Sequence, residues 1–283
     1  MSPDDDLHDR GLAFDLTKMA SLQRAQRMLG RRGALQIFAG AAAGLALVGC
    51  AGSDGPAGST TSSAGSGGAT STTASGAASA AIPSETAGPF PGDGSNGPDV
   101  LSESGVVRSD IRSSFGPYSG TAEGVPLELS LRVVDAGSSA PIGGAAVYVW
   151  HCDRDGRYSL YSQGATDQNY LRGVQAADAS GELEFITAFP GAYQGRWPHI
   201  HFEVFPNLAA AGDVDNQVAT SQLALPQDAC EEVYVTDGYA TSARNLAGSS
   251  LDSDTVFRDG YSAQLASVSG DASAMRASLT IAV

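Results

Sequence analysis

"YQGRWPHIHFEVF", residues 193–205, holds two of the chain's four histidines, separated by a single isoleucine. Phe202, Val204 and Phe205 are strand formers, and side chains on a strand alternate between faces, so His199 and His201 point one way and Ile200 the other. Two imidazoles on one face of a rigid element can hold a metal ion. They equally suit two half-buried histidines hydrogen-bonded to their neighbours. The spacing leaves both readings open, and the surrounding sequence has to separate them.

Working outward, runs of β character recur at Leu127–Val134, Ala146–Cys152, Leu183–Thr187, Gln222–Leu225 and Ser278–Val283, with Gly, Pro, Asp, Asn and Ser between them. Helical periodicity is confined to short stretches near Pro226–Tyr234 and Ser242–Ala247. This pattern predicts an all-β domain, an antiparallel β-sandwich with long functional loops. In "AVYVWHC" the alternation puts Val147, Val149 and His151 on one face and Tyr148, Trp150 and Cys152 on the other, and "DRDG" follows as a turn.

The N-terminal third differs in character. Arg31 and Arg32 precede an apolar, charge-free run that ends at Cys50. The run is short and rich in Gly and Ala, so residues 1–49 read as an export signal; the alternative is an uncleaved N-terminal anchor. The arginine pair resembles a twin-arginine signal, and "LVGC" resembles the lipobox of bacterial lipoproteins, which places a lipid on Cys50. Residues 50–82 are almost wholly Gly, Ser, Ala and Thr, too poor in apolar surface to fold, and read as a flexible tether. Residues 83–283 are left as the folded domain.

Beyond Cys50 the chain has ten arginines, no lysine and 26 acidic residues. So acidic a surface repels nucleic acid and anionic headgroups, which excludes nucleic acid as a partner and leaves the lipid on Cys50 as the only membrane contact. Expected localisation is therefore the cell envelope or the exterior. In that oxidising setting Cys152 and Cys230 are expected to pair as a disulfide, the alternative being two buried thiols.

Several motifs occur in a telling order: "ETAGPF" from Glu85, "RSDIR" from Arg108, "VYVWHCDRDGRYS" from Val147, "GELEFITAFPGAY" ending at Tyr193, "GRWPHIHFEV" and "TSQLAL". From about Glu85 to Val283 the chain resembles the intradiol ring-cleavage dioxygenases, the family of protocatechuate 3,4-dioxygenase and catechol 1,2-dioxygenase, and within it the exported single-domain members. The resemblance implies a non-haem Fe(III) cofactor held by Tyr158, Tyr193, His199 and His201, and cleavage of a catechol-type aromatic by O2 to a cis,cis-muconate-type diacid. It gives Tyr193 a catalytic part as well as a ligand's. It assigns Arg196 to stabilising negative charge on the reacting substrate and Gln222 to the pocket wall beside that arginine. The donor set makes chemical sense, because a hard ferric ion prefers anionic oxygen and a metal lowers the pKa of the phenol bound to it. Tyr161, three residues from Tyr158, is the competing candidate; Tyr158 is preferred because it directly follows the Gly-Arg of the motif. His151 reads as a structural histidine.

Two departures from the family pattern stand out. Only "QGRWP" separates Tyr193 from His199, with Trp197 where a smaller residue or proline is usual, so the pocket's shape is expected to differ. No counterpart of a helical dimerisation region precedes Leu127. A carbohydrate- or ligand-binding sandwich lipoprotein, or an iron-binding sandwich without ring cleavage, remains as the contrasting function class.

Overall fold

The computed structural model describes residues 80–283; the expected export signal, the lipobox-like stretch ending at Cys50 and nearly all of the expected tether lie outside the described residues. Two four-stranded sheets face each other. One has the order β4-β1-β8-β7 and the other β3-β2-β5-β6. The strands are β1 (Pro126–Val134), β2 (Ala146–Trp150), β3 (Arg172–Ala176), β4 (Glu182–Ala188), β5 (His199–Phe205), β6 (Ala219–Ala224), β7 (Ser267–Asp271) and β8 (Ala274–Ala282). Two short helices, α1 (Gln227–Tyr234) and α2 (Ala240–Leu246), follow β6.

Pairing is antiparallel with one exception, since β1 and β8 lie parallel. Between the sheets the core interleaves Leu127, Leu129, Leu131 and Val133 of β1 with Val147, Val149, Ile200, Phe202 and Val204 of the opposite sheet. The alternation on β5 therefore holds: Ile200, Phe202 and Val204 face the sandwich interior, and His199, His201 and Glu203 occupy the other face. That outer face is not solvated. Every residue of β2 and β5 is buried, because the chain before β1 and the loops between strands form a second core over it, containing Phe90, Val106, Tyr148, Trp150 and Tyr158.

Residues 82–93 cross this face as a strap. Its backbone is held by Ile82 N to Ala282 O at 2.8 Å and Glu85 N to Thr220 O at 2.9 Å. Arg172, on β3, fastens the other end. All five of its N–H donors are met, by Ser159 Oγ and O, Phe90 O, Pro91 O and Tyr148 Oη. Gly88 passes directly over His201 with φ +75°, where a Cβ would stand 3.1 Å from His201 Cε1. Only glycine takes that conformation at little cost and leaves that space.

The expected disulfide is not formed: Cys152 and Cys230 are both free and buried. The Cys152 thiol donates to Gly191 O at 3.3 Å in the second core, whereas Cys230 packs into the core between the sheets. Burial raises the pKa of both thiols, which keeps them protonated and unreactive.

Candidate metal centre

Three segments bring side chains together on the outer face of β5. The turn after β2 delivers Tyr158. Asp153 closes that turn by accepting from the amides of Asp155 and Arg157 through Oδ1, each at 3.0 Å, and Gly156, at φ +84°, packs so near Ala192 that a Cβ would stand 2.8 Å from its carbonyl oxygen. The loop after β4 delivers Tyr193. It is pinned by α2, where Ser242 Oγ accepts from Ala192 N at 2.9 Å and Asn245 Nδ2 donates to Ala192 O at 2.8 Å. β5 supplies the two histidines.

The result brings together the four side chains expected from the sequence. His199 Nε2 and His201 Nε2 stand 3.1 Å apart, and Tyr158 Oη lies 3.4 Å from His199 Nε2. The rings of Tyr158 and Tyr193 meet edge to face at 5.7 Å, as do those of Tyr193 and His199. Trp150 stacks on His201 at 4.8 Å with 4° between the planes and fixes its ring. His199 Nδ1 donates to Trp197 O, which leaves its Nε2 lone pair facing the cluster.

Electrostatics favour neutral imidazoles and disfavour bare phenolate. Burial pushes His199 down to about 3, with Arg196 adding to the effect; burial and then His199 hold His201 well below the usual histidine range. Burial likewise raises Tyr158. A phenol so placed ionises only if a cation replaces the solvation it has lost.

These residues fit a transition-metal ion. Two ligands each about 2.1 Å from one ion stand about 3 Å apart when they meet it at right angles, and the two imidazole nitrogens are at that spacing. Among the described residues no group of three or more His, Cys, Asp and Glu side chains is placed to hold a metal, so a metal at this site needs the tyrosines. Nitrogen and phenol oxygen together suit Fe(III) better than Zn(II), which favours thiolate, histidine and carboxylate.

Arg196 lies beside the cluster, 3 % exposed. Nη1 donates to Tyr193 Oη at 3.3 Å, Nη2 to Gln222 Oε1 at 2.6 Å, and Nε to Asp254 Oδ2 at 2.9 Å. Burial would lower its pKa, but Tyr193 and then Asp254 hold it above the ordinary guanidinium value. Gln222 in turn donates to Thr86 O at 2.9 Å, tying the strap to the arginine. Tyr193 is only half-buried, while Tyr158, His199 and His201 are buried, so the open side of the site is at Tyr193.

The structure separates the remaining candidates from this centre. Tyr161 Oη donates to Asn96 Oδ1 at 2.7 Å and accepts from Gly92 N at 2.9 Å, and so serves the strap. His151 pairs both ring nitrogens, with Cys152 O and Thr187 Oγ1. Trp197 turns away from the cluster into a small core with Ala224, Val256 and Phe257, its Nε1 donating to Leu225 O at 2.8 Å. Concavities of about 820 and 470 Å³ lie elsewhere, lined by such residues as Arg132, Glu182 and Thr280, and Gln227, Val235 and Leu246. Neither gathers metal-binding donors. Two acidic residues that no sequence motif singled out as site residues act on Arg196: Asp254, paired with it directly, and Glu85, within its electrostatic reach.

Fold and donor set define a β-sandwich domain with a buried cluster of nitrogen and oxygen donors. Residues 97–245, a little over half the chain, match the family model Dioxygenase_C, described as dioxygenase. A solved intradiol ring-cleavage dioxygenase from Tetranychus urticae superposes with a TM-score of 0.53 at 25% identity, over 64% of this chain and 87% of that one. A second dioxygenase crystal structure gives 0.52 at 25% identity with the same coverage. A chlorocatechol 1,2-dioxygenase from Rhodococcus opacus is 40% identical over 57 residues, 20% of this chain and 22% of its own length, so the chain matches about a fifth of that curated relative. The chain belongs to the intradiol ring-cleavage dioxygenase family.

Proposed function

We propose that this chain is an Fe(III)-dependent dioxygenase that opens a catechol-type ring between its two hydroxyl-bearing carbons, both atoms of O2 entering a cis,cis-muconate-type diacid. The observation that carries this reading is the convergence of Tyr158, Tyr193, His199 and His201 beside a buried arginine whose Nη1 reaches the Tyr193 hydroxyl. Those four side chains would hold the ion. When bound, ferric iron would supply Lewis acidity toward the catechol oxygens and electron-accepting character that makes the ring reactive toward O2.

The protein's own groups supply the rest. Tyr193, on the open side, is placed to take a proton from an incoming catechol hydroxyl as the substrate arrives. Arg196 presents fixed positive charge where negative charge develops on the ring, and such preorganised charge acts strongly in a buried site. Gln222 holds the guanidinium from the other side, and Gly88 of the strap covers His201. Sequence alone motivates the companion proposal that export and a lipid on Cys50 keep the domain at the cell envelope. If wild type and Cys50→Ala fractionate alike into the cytosol, that part is wrong.

The reaction is tested by incubating iron-loaded protein with catechol under ¹⁸O2. Two ¹⁸O atoms in one diacid product are expected. A product with none, or no ring opening with catechol, hydroxyquinol or protocatechuate, would leave the cluster as a metal site without this chemistry.

A further inference from the structure

Asp254 lies beyond the stretch matched by the family model, in the Ser- and Asp-rich loop between α2 and β7. It is 2 % exposed. Its two carboxylate oxygens meet five donors. Oδ2 accepts from Arg196 Nε at 2.9 Å and Trp197 N at 2.7 Å. Oδ1 accepts from Val256 N at 2.8 Å, Phe257 N at 3.3 Å and Arg196 Nη2 at 3.3 Å. The amides of residues 256 and 257 fix the carboxylate, and the carboxylate then grips Arg196 side-on through two nitrogens. Side-on pairing fixes the plane of a guanidinium as well as its place.

With Nε and one Nη2 hydrogen committed to Asp254, the remaining Arg196 donors can point only to the far side, toward Gln222 Oε1 and Tyr193 Oη. The same carboxylate holds the amide of Trp197, whose carbonyl accepts from His199 Nδ1. One buried side chain therefore sets both the arginine and the backbone that orients a histidine. A buried ion pair adds little net stability over well-packed apolar side chains, because both charges must be desolvated. What this pair adds is direction.

We propose that Asp254 is a positioning residue for ring cleavage, clamping Arg196 so that Nη1 stands against the Tyr193 hydroxyl and the charge developing on the catechol. This rests on the ring-cleavage reading above. Asp254 acts through its hydrogen bonds to Arg196 and to the amide of Trp197. Asp254→Asn keeps the shape and removes the charge and the side-on grip. Asp254→Glu keeps the charge at one extra methylene.

The test uses the full iron-loaded chain and four variants: Asp254→Asn, Asp254→Glu, Arg196→Met and the double variant Asp254→Asn/Arg196→Met. In Asp254→Asn, iron content should hold while kcat falls on the order of 100-fold, the scale of an ångström's misplacement at a reacting centre, with KM changed less than about threefold. The visible band of the iron-tyrosinate should shift, because Tyr193 loses its aligned partner. Asp254→Glu should recover part of both effects, and it carries the test if the asparagine variant does not fold. In the Arg196→Met background the second substitution should cost less than about twofold, since residues acting through one another are not additive. Equal losses in both backgrounds, or an unmoved band with unchanged kcat, would overturn the proposal. A coloured wild type inert toward catechols removes the ring-cleavage reading, while the band shift still reports whether Asp254 sets Arg196 against Tyr193. A wild type that binds no iron removes both.

Discussion

Replacing Arg172 by methionine tests whether the strap over the site is held from β3. Arg172 is 1 % exposed and gives its five donors to the strap, to Ser159 in the loop after Tyr158 and to Tyr148 Oη on β2, at distances from 2.6 to 3.1 Å. Methionine has similar reach and no donor. Pro91 O keeps a partner, since Tyr148 Oη still donates to it at 2.7 Å. Phe90 O and Ser159 O lose the Nη2 donor. Two such buried acceptors cost about 1–3 kcal/mol each, and relief from burying a charge offsets part of this. A net loss of roughly 3 kcal/mol follows, and at about 2–4 °C per kcal/mol for a domain of this size the melting temperature should drop by roughly 6–12 °C. Thermal unfolding followed by circular dichroism reads the global effect. Hydrogen exchange of residues 82–93 reads the local one, and protection should fall there more than on β1 or β8. Unchanged protection in the strap, or a loss below about 1 kcal/mol, would refute the reasoning.

Three further outcomes follow from the same geometry. Glu85 has its carboxyl raised from 4.5 to about 7, by burial first and then by Asp259, against the lowering influence of Gln264 and Arg196. A carboxyl protonated longer in the folded than in the unfolded state stabilises at low pH, and that contribution disappears as pH rises through about 7. Wild type should therefore lose more stability than Glu85→Gln between about pH 5 and 7, and parallel melting curves against pH would contradict this. Native protein treated with an alkylating reagent should show no modification at Cys152 or Cys230, whereas unfolded, unreduced protein should be alkylated at both; modification of neither after unfolding would mean a disulfide. Tyr158→Phe should lose iron because it removes an oxygen donor from the cluster, and Tyr161→Phe should retain iron but melt at lower temperature, since Tyr161 serves the strap; loss of iron from Tyr161→Phe alone would reverse the assignment.

Much of this was legible in the sequence because the residues involved obey a local period. The alternation in "HIHFEVF" located β5 and the shared face of its histidines, and "DRDG" located the turn that carries Tyr158. β3 escaped because "RGVQA" lacks strand composition. It is a strand because β2 pairs with it and because Gly173 admits Ile111, whose Cγ2 would stand 2.5 Å from a Cβ there. β7, "SVSGD", is a largely exposed edge with no apolar alternation to read. The parallel β1–β8 contact joins the first strand to the last, a pairing that no local pattern announces. Asp254 looked like one more polar loop residue; its burial and five donors arise only once the loop folds back on Arg196. The cysteines misled because compartment says whether a disulfide can form, not whether two sulfurs meet.

The central claim is that Tyr158, Tyr193, His199 and His201 close around one ferric ion. Its most direct test is the visible spectrum of the purified protein, taken with its metal content, before and after anaerobic addition of catechol. One iron per chain is expected from one donor set of two phenolates and two imidazoles, with a red-brown tyrosinate-to-iron band that shifts when catechol binds. A colourless protein that holds zinc or no metal after growth in iron would contradict the account.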